Sequence, residues 1–573
     1  MAEKFGDSII NKQTILDHPA SLFVLFFTEM WERFSYYGMR ALLTLFLTSS
    51  LMKGGYGWES EDALGLYGLY TGLVYLTPLF GGMIADKFTG YRKAVVIGAF
   101  IMALGHASMA MEGNPNFFYL GLLLLILGNG MFKPNISSIV GQLYSDESKK
   151  DSAYTIFYMG INAGAFLGIL LCGYIGEKVS WSYGFGLAGI FMFLGMLQFW
   201  FGQSILGEIG LAPKKIEKTA ATLKSDDTSN KRVMTWAAIG LAIIALGFLF
   251  FPKVESASFL MMVNKNWIPP IVFGLVIPIV GYIVTDPSLT NIEKDRVWVI
   301  IILTFFTVFF WWAFEQAGGS MSLFARDFTD RTLEGSGGTV FNVINTLLTV
   351  GSLSVITWVL FKLFSVTFKD IAVSNIILGI SFIIIWGIVL WMLNKEFQAK
   401  ETEVQASWFS ILNSFFIITM APLVSKFWEK GIITSGPAKF ALGLILVGLG
   451  FGFLAYGSSA IPNGAETASV SMAWLIIAYY LHTMGELCVS PVGLSYVSKL
   501  APVRLIGLMF GVWFIANFIA NWAGGLTGSY IEQIAESSGL STFFLIFTII
   551  PIAAGILLLL MKGFMGRMMH GIE

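Results

Sequence analysis

Between Glu29 and Arg40 an otherwise apolar stretch carries four charged side chains, Glu29, Glu32, Arg33 and Arg40, with Tyr36 and Tyr37 among them. At helical spacing Glu29, Glu32 or Arg33, Tyr36 or Tyr37, and Arg40 fall three or four residues apart and share one side of a helix. A charge at a bilayer centre costs at least about 2.5–3.5 kcal/mol on insertion scales, so each needs a partner, a water-filled cavity or a function. Two carboxylates against two guanidinium groups exceed what helix packing requires. Lys133, Glu315 and Glu486 stand isolated in apolar runs of their own. Gly128 and Gly130 before Lys133, and Pro134 after it, can bend a helix and open room for a cavity. Glu486 lies five residues before Pro491. Together these groups offer Arg40 and Lys133 as anion ligands and Glu29, Glu32, Glu315 and Glu486 as proton or ammonium ligands, a set suited to a dipolar solute. Tyr75, Asn162, Asn413 and Ser490 add neutral hydrogen-bonding groups within apolar runs, where unpaired amides and hydroxyls are costly.

The elements that must position these residues read as membrane helices. Of 573 residues 56% are hydrophobic and only 12% charged, about half the charge content of a soluble protein, which excludes a soluble globular fold. A formal net charge of -1 points to neither a nucleic-acid binder nor a polyacidic tail. A bilayer core of about 30 Å needs roughly 20 mostly apolar residues per helix. On that criterion helices are expected at about 20–52, 61–85, 93–111, 116–141, 152–176, 181–206, 233–251, 267–285, 297–324, 339–361, 371–393, 406–428, 438–457, 471–498, 505–528 and 541–562, sixteen in all. With the N-terminus inside, the outer loops hold only Lys53, Lys178, Lys253, Lys265, Arg326, Arg331, Lys395 and Lys400 of the 35 basic residues. Most of the others, among them Lys4, Lys12, Lys87, Arg92, Lys93, Lys214, Lys215, Lys218, Lys294 and Arg296, fall in inner loops, so both termini are expected in the cytoplasm. The polar stretch from Gly207 to Arg232 reads as a cytoplasmic linker between two helical halves. Cys172 and Cys488 lie in apolar stretches and read as packed thiols. The leading residues are polar, with no apolar core of a removable signal.

Several of these segments resemble the proton-coupled oligopeptide transporter family of the major facilitator superfamily. Glu29-x-x-Glu32-Arg33-Phe34-x-Tyr36-Tyr37-Gly38 matches the family's first-helix motif without exception. The run from Gly81 to Lys93 is similar to the family's cytoplasmic loop motif, and Phe157-Tyr158-x-x-Ile161-Asn162-x-Gly164 resembles its second signature. Phe132-Lys133-Pro134-Asn135, Phe314-Glu315-Gln316, Trp408-Phe409 followed by Asn413, and Gly485-Glu486 with Ser490-Pro491 match in order. The resemblance implies an all-α polytopic membrane protein with a major facilitator fold: a six-helix bundle over 1–206, a linker with two inserted helices over 207–296, and a second six-helix bundle over 297–573. Glu315 and Asn413 are normally separated by one loop, yet here an apolar pair at about 339–393 intervenes. It reads as an inserted, lipid-facing hairpin outside the transport machinery.

The function implied is proton-driven symport of di- and tripeptides by alternating access, a secondary active transporter rather than an enzyme. Arg40 and Lys133, with Tyr37 and Tyr75, are expected to hold the peptide carboxylate. Glu486, Asn162 and Asn413 would hold its ammonium and backbone, with Ser490 in the same lining. Trp312 and Trp513 would bound side-chain pockets, Trp311 competing with Trp312. Glu29, Glu32, Arg33 and Glu315 would couple protons, and Asp86, Lys87, Arg92 and Lys93 would latch a cytoplasmic gate. The alternatives are a symporter of nitrate or another small anion, which has less use for Glu486, Asn162 and Asn413, and a non-transporting receptor, for which no soluble output domain is present. No H-E-x-x-H or G-x-x-x-x-G-K-[ST] motif occurs, so neither a metal-assisted hydrolase nor an ATP-driven pump is indicated. No cofactor, metal, nucleic acid or obligatory protein partner is expected. The partners are peptides, protons and the lipid bilayer. Short outer loops favour a bacterial inner (cytoplasmic) membrane.

Overall fold

The computed structural model describes residues 13–144, 147–212, 220–256, 258–431 and 435–572. Lys4, Lys12, Lys214, Lys215 and Lys218, assigned to inner loops, lie outside these residues. The helices are α1 (Ala20–Thr48), α2 (Ser60–Leu76), α3 (Pro78–Ile84), α4 (Tyr91–Met109), α5 (Pro115–Gln142), α6 (Glu147–Lys178) and α7 (Trp181–Gly202). Then come α8 (Ala220–Phe250), α9 (Phe259–Met262), α10 (Ile268–Val284), α11 (Asn291–Phe314), α12 (Ser320–Asp327), α13 (Gly335–Thr367) and α14 (Ala372–Gln398). The last are α15 (Ile411–Glu429), α16 (Gly436–Gly457), α17 (Ala473–Leu500), α18 (Ile506–Gly528), α19 (Ile531–Ser538) and α20 (Leu540–Met568). Among the described residues, 15 helical segments are long and apolar enough to span a bilayer. The 29-residue α1, with its internal charges, is a further long helix. This is an all-α, multi-pass membrane protein.

The chain forms two compact units, residues 1–57, 77–213 and 330–415 in one and 58–76, 214–329 and 416–573 in the other. In the first unit α1 packs along α6 through Gly160, Gly164 and Gly168, spaced four apart and so aligned on one face. A Cβ at Gly164 would come within 2.2 Å of the Met30 carbonyl oxygen, and one at Gly168 within 2.2 Å of that of Phe34. Without a hydrophobic drive between helices in lipid, such close backbone approach supplies the attraction through packing. On another side of α1, Trp31 stacks on Phe191 of α7 at 4.8 Å. The α4 and α5 pair approaches in the same manner at Gly98 and Gly128.

The inserted hairpin α13–α14 belongs to this first unit. Phe382 meets Phe27 and Trp31 edge-on at 5.7 and 5.8 Å, and Ser374 donates to the Gln198 carbonyl at 2.8 Å. Along α14, Asn375, Leu378, Phe382, Ile385 and Val389 are buried at helical spacing, while Ile383 and Leu390 are exposed. The hairpin thus docks one face on α1 and α7 and leaves the other outward. Asn342 donates to the Glu396 carbonyl at 3.3 Å, and Asn375 donates to Thr367 at 3.0 Å, so these amides bind the hairpin internally.

In the second unit α2 meets α18 where Gly68 faces Gly525, a Cβ on the first lying 2.5 Å from the Cα of the second. The inserted α10 packs Ile268 and Val272 against Phe518, with Leu69, Leu73 and Trp522 around them. Its preceding turn is tied by Asn264, which donates to the Gly65 carbonyl at 3.3 Å. Arg504 clasps Glu293 at 2.9 Å and the Ser288 carbonyl at 3.0 Å, fixing the chain that enters α11.

Two expectations follow. Gly164→Val is expected to destabilise the protein by about 1–3 kcal/mol, the range for forced overpacking, whereas Gly113→Ala, with open space around it, leaves the detergent melting temperature unchanged. Ahead of α1, His18 Nδ1 sits 2.8 Å from the Tyr144 hydroxyl and Nε2 3.2 Å from Ser152 Oγ. Burial holds its pKa below the ordinary value of 6.5. A depressed folded pKa means the unfolded chain binds the proton more readily, so this contribution is complete above the ordinary value and is lost as pH falls through the lower folded one. The melting-temperature difference between the wild type and His18→Leu should therefore shrink on acidification.

Candidate functional site

The centre of α1 is a buried ion set. Arg33 Nε lies 2.7 Å from Glu29 Oε1 and 2.8 Å from Glu32 Oε2, and the three side chains are 4%, 2% and 0% exposed respectively. Glu29 and Arg33 meet because residues four apart on a helix are neighbours. Glu32 is held from a second helix as well: Asn129 Nδ2 of α5 donates to its Oε1 at 3.0 Å. Lys133, one turn further along α5, is near enough for its charge to act on Glu32. Gly164 allows the backbone of α6 to close over Met30 and the Arg33 Cβ, sealing the set. One guanidinium serves two carboxylates, so the set balances only with a proton or a further cation.

Arg40, two turns beyond Arg33, places its guanidinium 5.8 Å from the centre of the Tyr37 ring, within cation–π range. Arg33 stands in the same relation to Tyr36. Tyr37 and Lys133 are half-buried, in contrast with the sealed ion set. Asn162 is buried and donates to the Tyr158 carbonyl at 3.0 Å within α6. Asn413 is half-buried near the start of α15, and that start is fixed from α6: the Glu177 carboxylate accepts the backbone N–H of Ala406 at 3.1 Å and of Ser407 at 3.0 Å. Trp408 donates to the Leu170 carbonyl at 3.0 Å and stacks on Tyr174.

In the second unit Glu315 is buried where α11 stops and a short 3-10 turn, Glu315–Gly318, leads to α12. The break is stabilised by Gln316, which donates to the Gly524 carbonyl at 2.9 Å and accepts from Ser320 at 2.6 Å. Tyr67 donates to the Glu315 carbonyl at 3.4 Å. A narrow cleft here is lined by Leu64, Tyr67, Glu315, Gln316, Asn521 and Gly524. Trp312 stacks on Phe547 at 4.4 Å and donates to Thr527 at 3.1 Å, so its indole is engaged in helix packing. The neighbouring Trp311 is half-buried, and its indole N–H has no acceptor among the described residues. Tyr75, Glu486 and Ser490 are half-buried. Trp513 covers Gly493 so closely that a Cβ there would lie 2.1 Å from the indole.

The four residues of the loop motif are placed separately. Asp86 accepts from Tyr91 at 2.7 Å. Arg92 is buried and donates to the carbonyls of Ile209 and Gly207, both at 2.5 Å, closing the turn after α7. Lys87 and Lys93 are exposed.

With this geometry in view, the POT family profile matches residues 92–385 and 379–544, well over half the chain. The chain belongs to the POT family. Among the similar proteins is the peptide transporter YePEPT of Yersinia enterocolitica, 31% identical over 541 residues, covering 91% of this chain and 89% of that one. The di-/tripeptide transporter of Lactococcus lactis subsp. cremoris is 29% identical, covering 96% of each chain. The crystal structure of a peptide transporter POT in complex with sulfate superposes with a TM-score of 0.72 at 29% identity, over 98% of this chain and 97% of that one. A mutant of a peptide transporter POT in complex with alafosfalin gives 0.71 at 28% identity, over 98% of each chain.

Two residues at these sites were not singled out from the sequence, Asn129 and Glu177. Asn129 lies four residues before Lys133, on its face of α5, and an amide within an apolar run was the available signal. Glu177 sits at a helix end, where a carboxylate is commonplace, and nothing local marks its distant partner.

Removing one member of a buried ion set leaves uncompensated charge and costs about 3–5 kcal/mol. Arg33→Met is therefore expected to abolish monodisperse protein, whereas adding Glu29→Gln and Glu32→Gln restores it without restoring function. Size-exclusion profiles and melting temperatures report both, and an Arg33→Met protein as stable as the wild type would show that the three charges are not interdependent.

Proposed function

We propose that this chain is a proton-coupled symporter of di- and tripeptides, a secondary active transporter working by alternating access in a bacterial cytoplasmic membrane. The observation that carries the reading is the sealed Glu29–Arg33–Glu32 set in a member of the POT family. A carboxylate in excess within a low-dielectric helix core is suited to taking a proton, and partner switching is suited to releasing it. Lys133 connects this set to solute binding, because a cation near Glu32 that engages a peptide carboxylate changes the charge balance at both places.

Arg40 and Lys133, with Tyr37 and Tyr75, hold the peptide carboxylate. Glu486, Asn162 and Asn413 take the ammonium and the peptide backbone, with Ser490 beside them, and Trp513 bounds a side-chain pocket. Trp311 is the better second wall, since Trp312 is committed to Phe547 and Thr527. Glu29, Glu32, Arg33 and Glu315 couple protons, and Asp86, Lys87, Arg92 and Lys93 act at a cytoplasmic gate. Six-helix bundles over 1–206 and 297–573 provide the moving parts, residues 207–296 supply a linker and two inserted helices, and the pair at 339–393 interrupts the second bundle in sequence.

The test is uptake of labelled dialanine into proteoliposomes with and without an inward proton gradient, competed separately by unlabelled tripeptide and by nitrate. Gradient-stimulated uptake blocked by tripeptide and not by nitrate is expected. Block by nitrate alone would replace the peptide by a small anion, and absence of uptake by folded, oriented protein would remove the transport reading.

A further inference from the structure

We propose that Asn129 is a positioning residue for proton coupling, holding Glu32 in one place whether or not that carboxylate carries its proton. The inference rests on the symport reading above and assigns a role that the Glu29, Glu32 and Arg33 motif does not contain.

Asn129 and Glu32 are both essentially inaccessible to solvent, and their hydrogen bond at 3.0 Å joins α5 to α1. The amide donates through Nδ2, while its Oδ1 is buried with no hydrogen-bond partner among the described residues. A lone buried acceptor next to a titratable carboxyl costs free energy in the observed arrangement. It becomes useful once Glu32 is protonated. An ionised carboxylate only accepts, a protonated one also donates, and a side-chain amide can do either. A half-turn of the amide about its Cβ–Cγ bond brings Oδ1 to the carboxyl O–H, so the contact between the helices survives the change of state. The charged groups acting on Glu32 are Glu29 and Arg33 from α1 and Lys133 from α5. None of these can act as both donor and acceptor while keeping its charge.

The flanking residues fix Asn129 in position. A Cβ on Gly128 would lie 2.7 Å from the Gly98 carbonyl oxygen, and one on Gly130 2.7 Å from the Thr77 Cβ. Helix α5 is thereby pressed against α4 on one side and the Thr77 turn on the other, which leaves its rotation little freedom. Lys133, four residues on, shares the Asn129 face, so the amide that holds Glu32 and the ammonium proposed to bind the solute carboxylate are carried by one helix.

The experiment compares the wild type with Asn129→Leu, Asn129→Thr and Asn129→Asp in proteoliposomes. It measures gradient-driven dialanine uptake across pH and dialanine counterflow, which requires no net proton movement. Asn129→Leu should lose driven uptake at least tenfold while keeping counterflow within twofold, which also shows that the protein is folded. Asn129→Thr, whose hydroxyl both donates and accepts, should recover most of the driven uptake. Asn129→Asp adds a third carboxylate beside Glu32 and should move the pH midpoint of driven uptake upward by a unit or more, because like charges disfavour joint ionisation. The proposal is overturned if Asn129→Leu loses driven uptake and counterflow in equal proportion, if it matches the wild type in both, or if Asn129→Asp keeps the wild-type midpoint. A wild type without gradient-driven peptide uptake would instead overturn the symport reading, and this role with it.

Discussion

A carboxylate sealed in a membrane helix must be neutralised where it stands, and the first unit is built around two of them. Buried ion pairs are poor sources of stability, since desolvating each ion costs several kcal/mol and a well-packed apolar replacement is often neutral or better. Stability therefore does not account for the Glu29–Arg33–Glu32 set, which accords with the proposed role in proton coupling. Its surroundings conform to it. Gly164 removes a side chain so that α6 can cover Arg33, Asn129 supplies a donor from α5, and Trp31, between the two glutamates, anchors the opposite side of α1 to Phe191 and Phe382.

Close helix contact follows from the same logic. Lipid tails are as apolar as leucine, so helices associate through packing and hydrogen bonding. Glycine faces glycine or bare backbone at α1–α6, α4–α5 and α2–α18, so these pairs meet backbone to backbone. The inserted elements obey the same rule. Helix α10 rests on α2 and α18 through Ile268, Val272 and Phe518. Hairpin α13–α14 rests on α1 and α7, with the start of α15 secured by Glu177 and Trp408 at the end of the hairpin. The hairpin is thus joined to the framework that holds Asn413.

Much of this was legible in the sequence because charge inside an apolar run has few innocent explanations. The stripe on α1, the isolated Lys133, Glu315 and Glu486, and the existence of the long helices all announce themselves in that way. The docked face of the hairpin did not, since a helix face that packs on protein and one that faces lipid are both apolar, and only Ser374, Asn375 and Ser381 hint at the difference. The choice between Trp311 and Trp312 was equally open, because adjacent residues on a helix point in different directions and the sequence does not show where Phe547 and Thr527 lie. Arg92 reads as a gate cation from its motif, yet its donors are engaged by the carbonyls of Gly207 and Ile209, acceptors that any residue type presents.

Accessibility divides the functional groups in a manner that bears on coupling. Glu29, Glu32 and Arg33 are sealed, while Tyr37 and Lys133 on the same two helices are half-buried. In the proposed symport, proton exchange at Glu32 requires α1 to separate from the glycine face of α6 or from Asn129, the two contacts that close over the set, and Arg40 lies on the same helix. In the proposed symport this placement links solute binding to protonation without a chain of relays: α1 carries Glu32 and Arg40, and α5 carries Asn129 and Lys133.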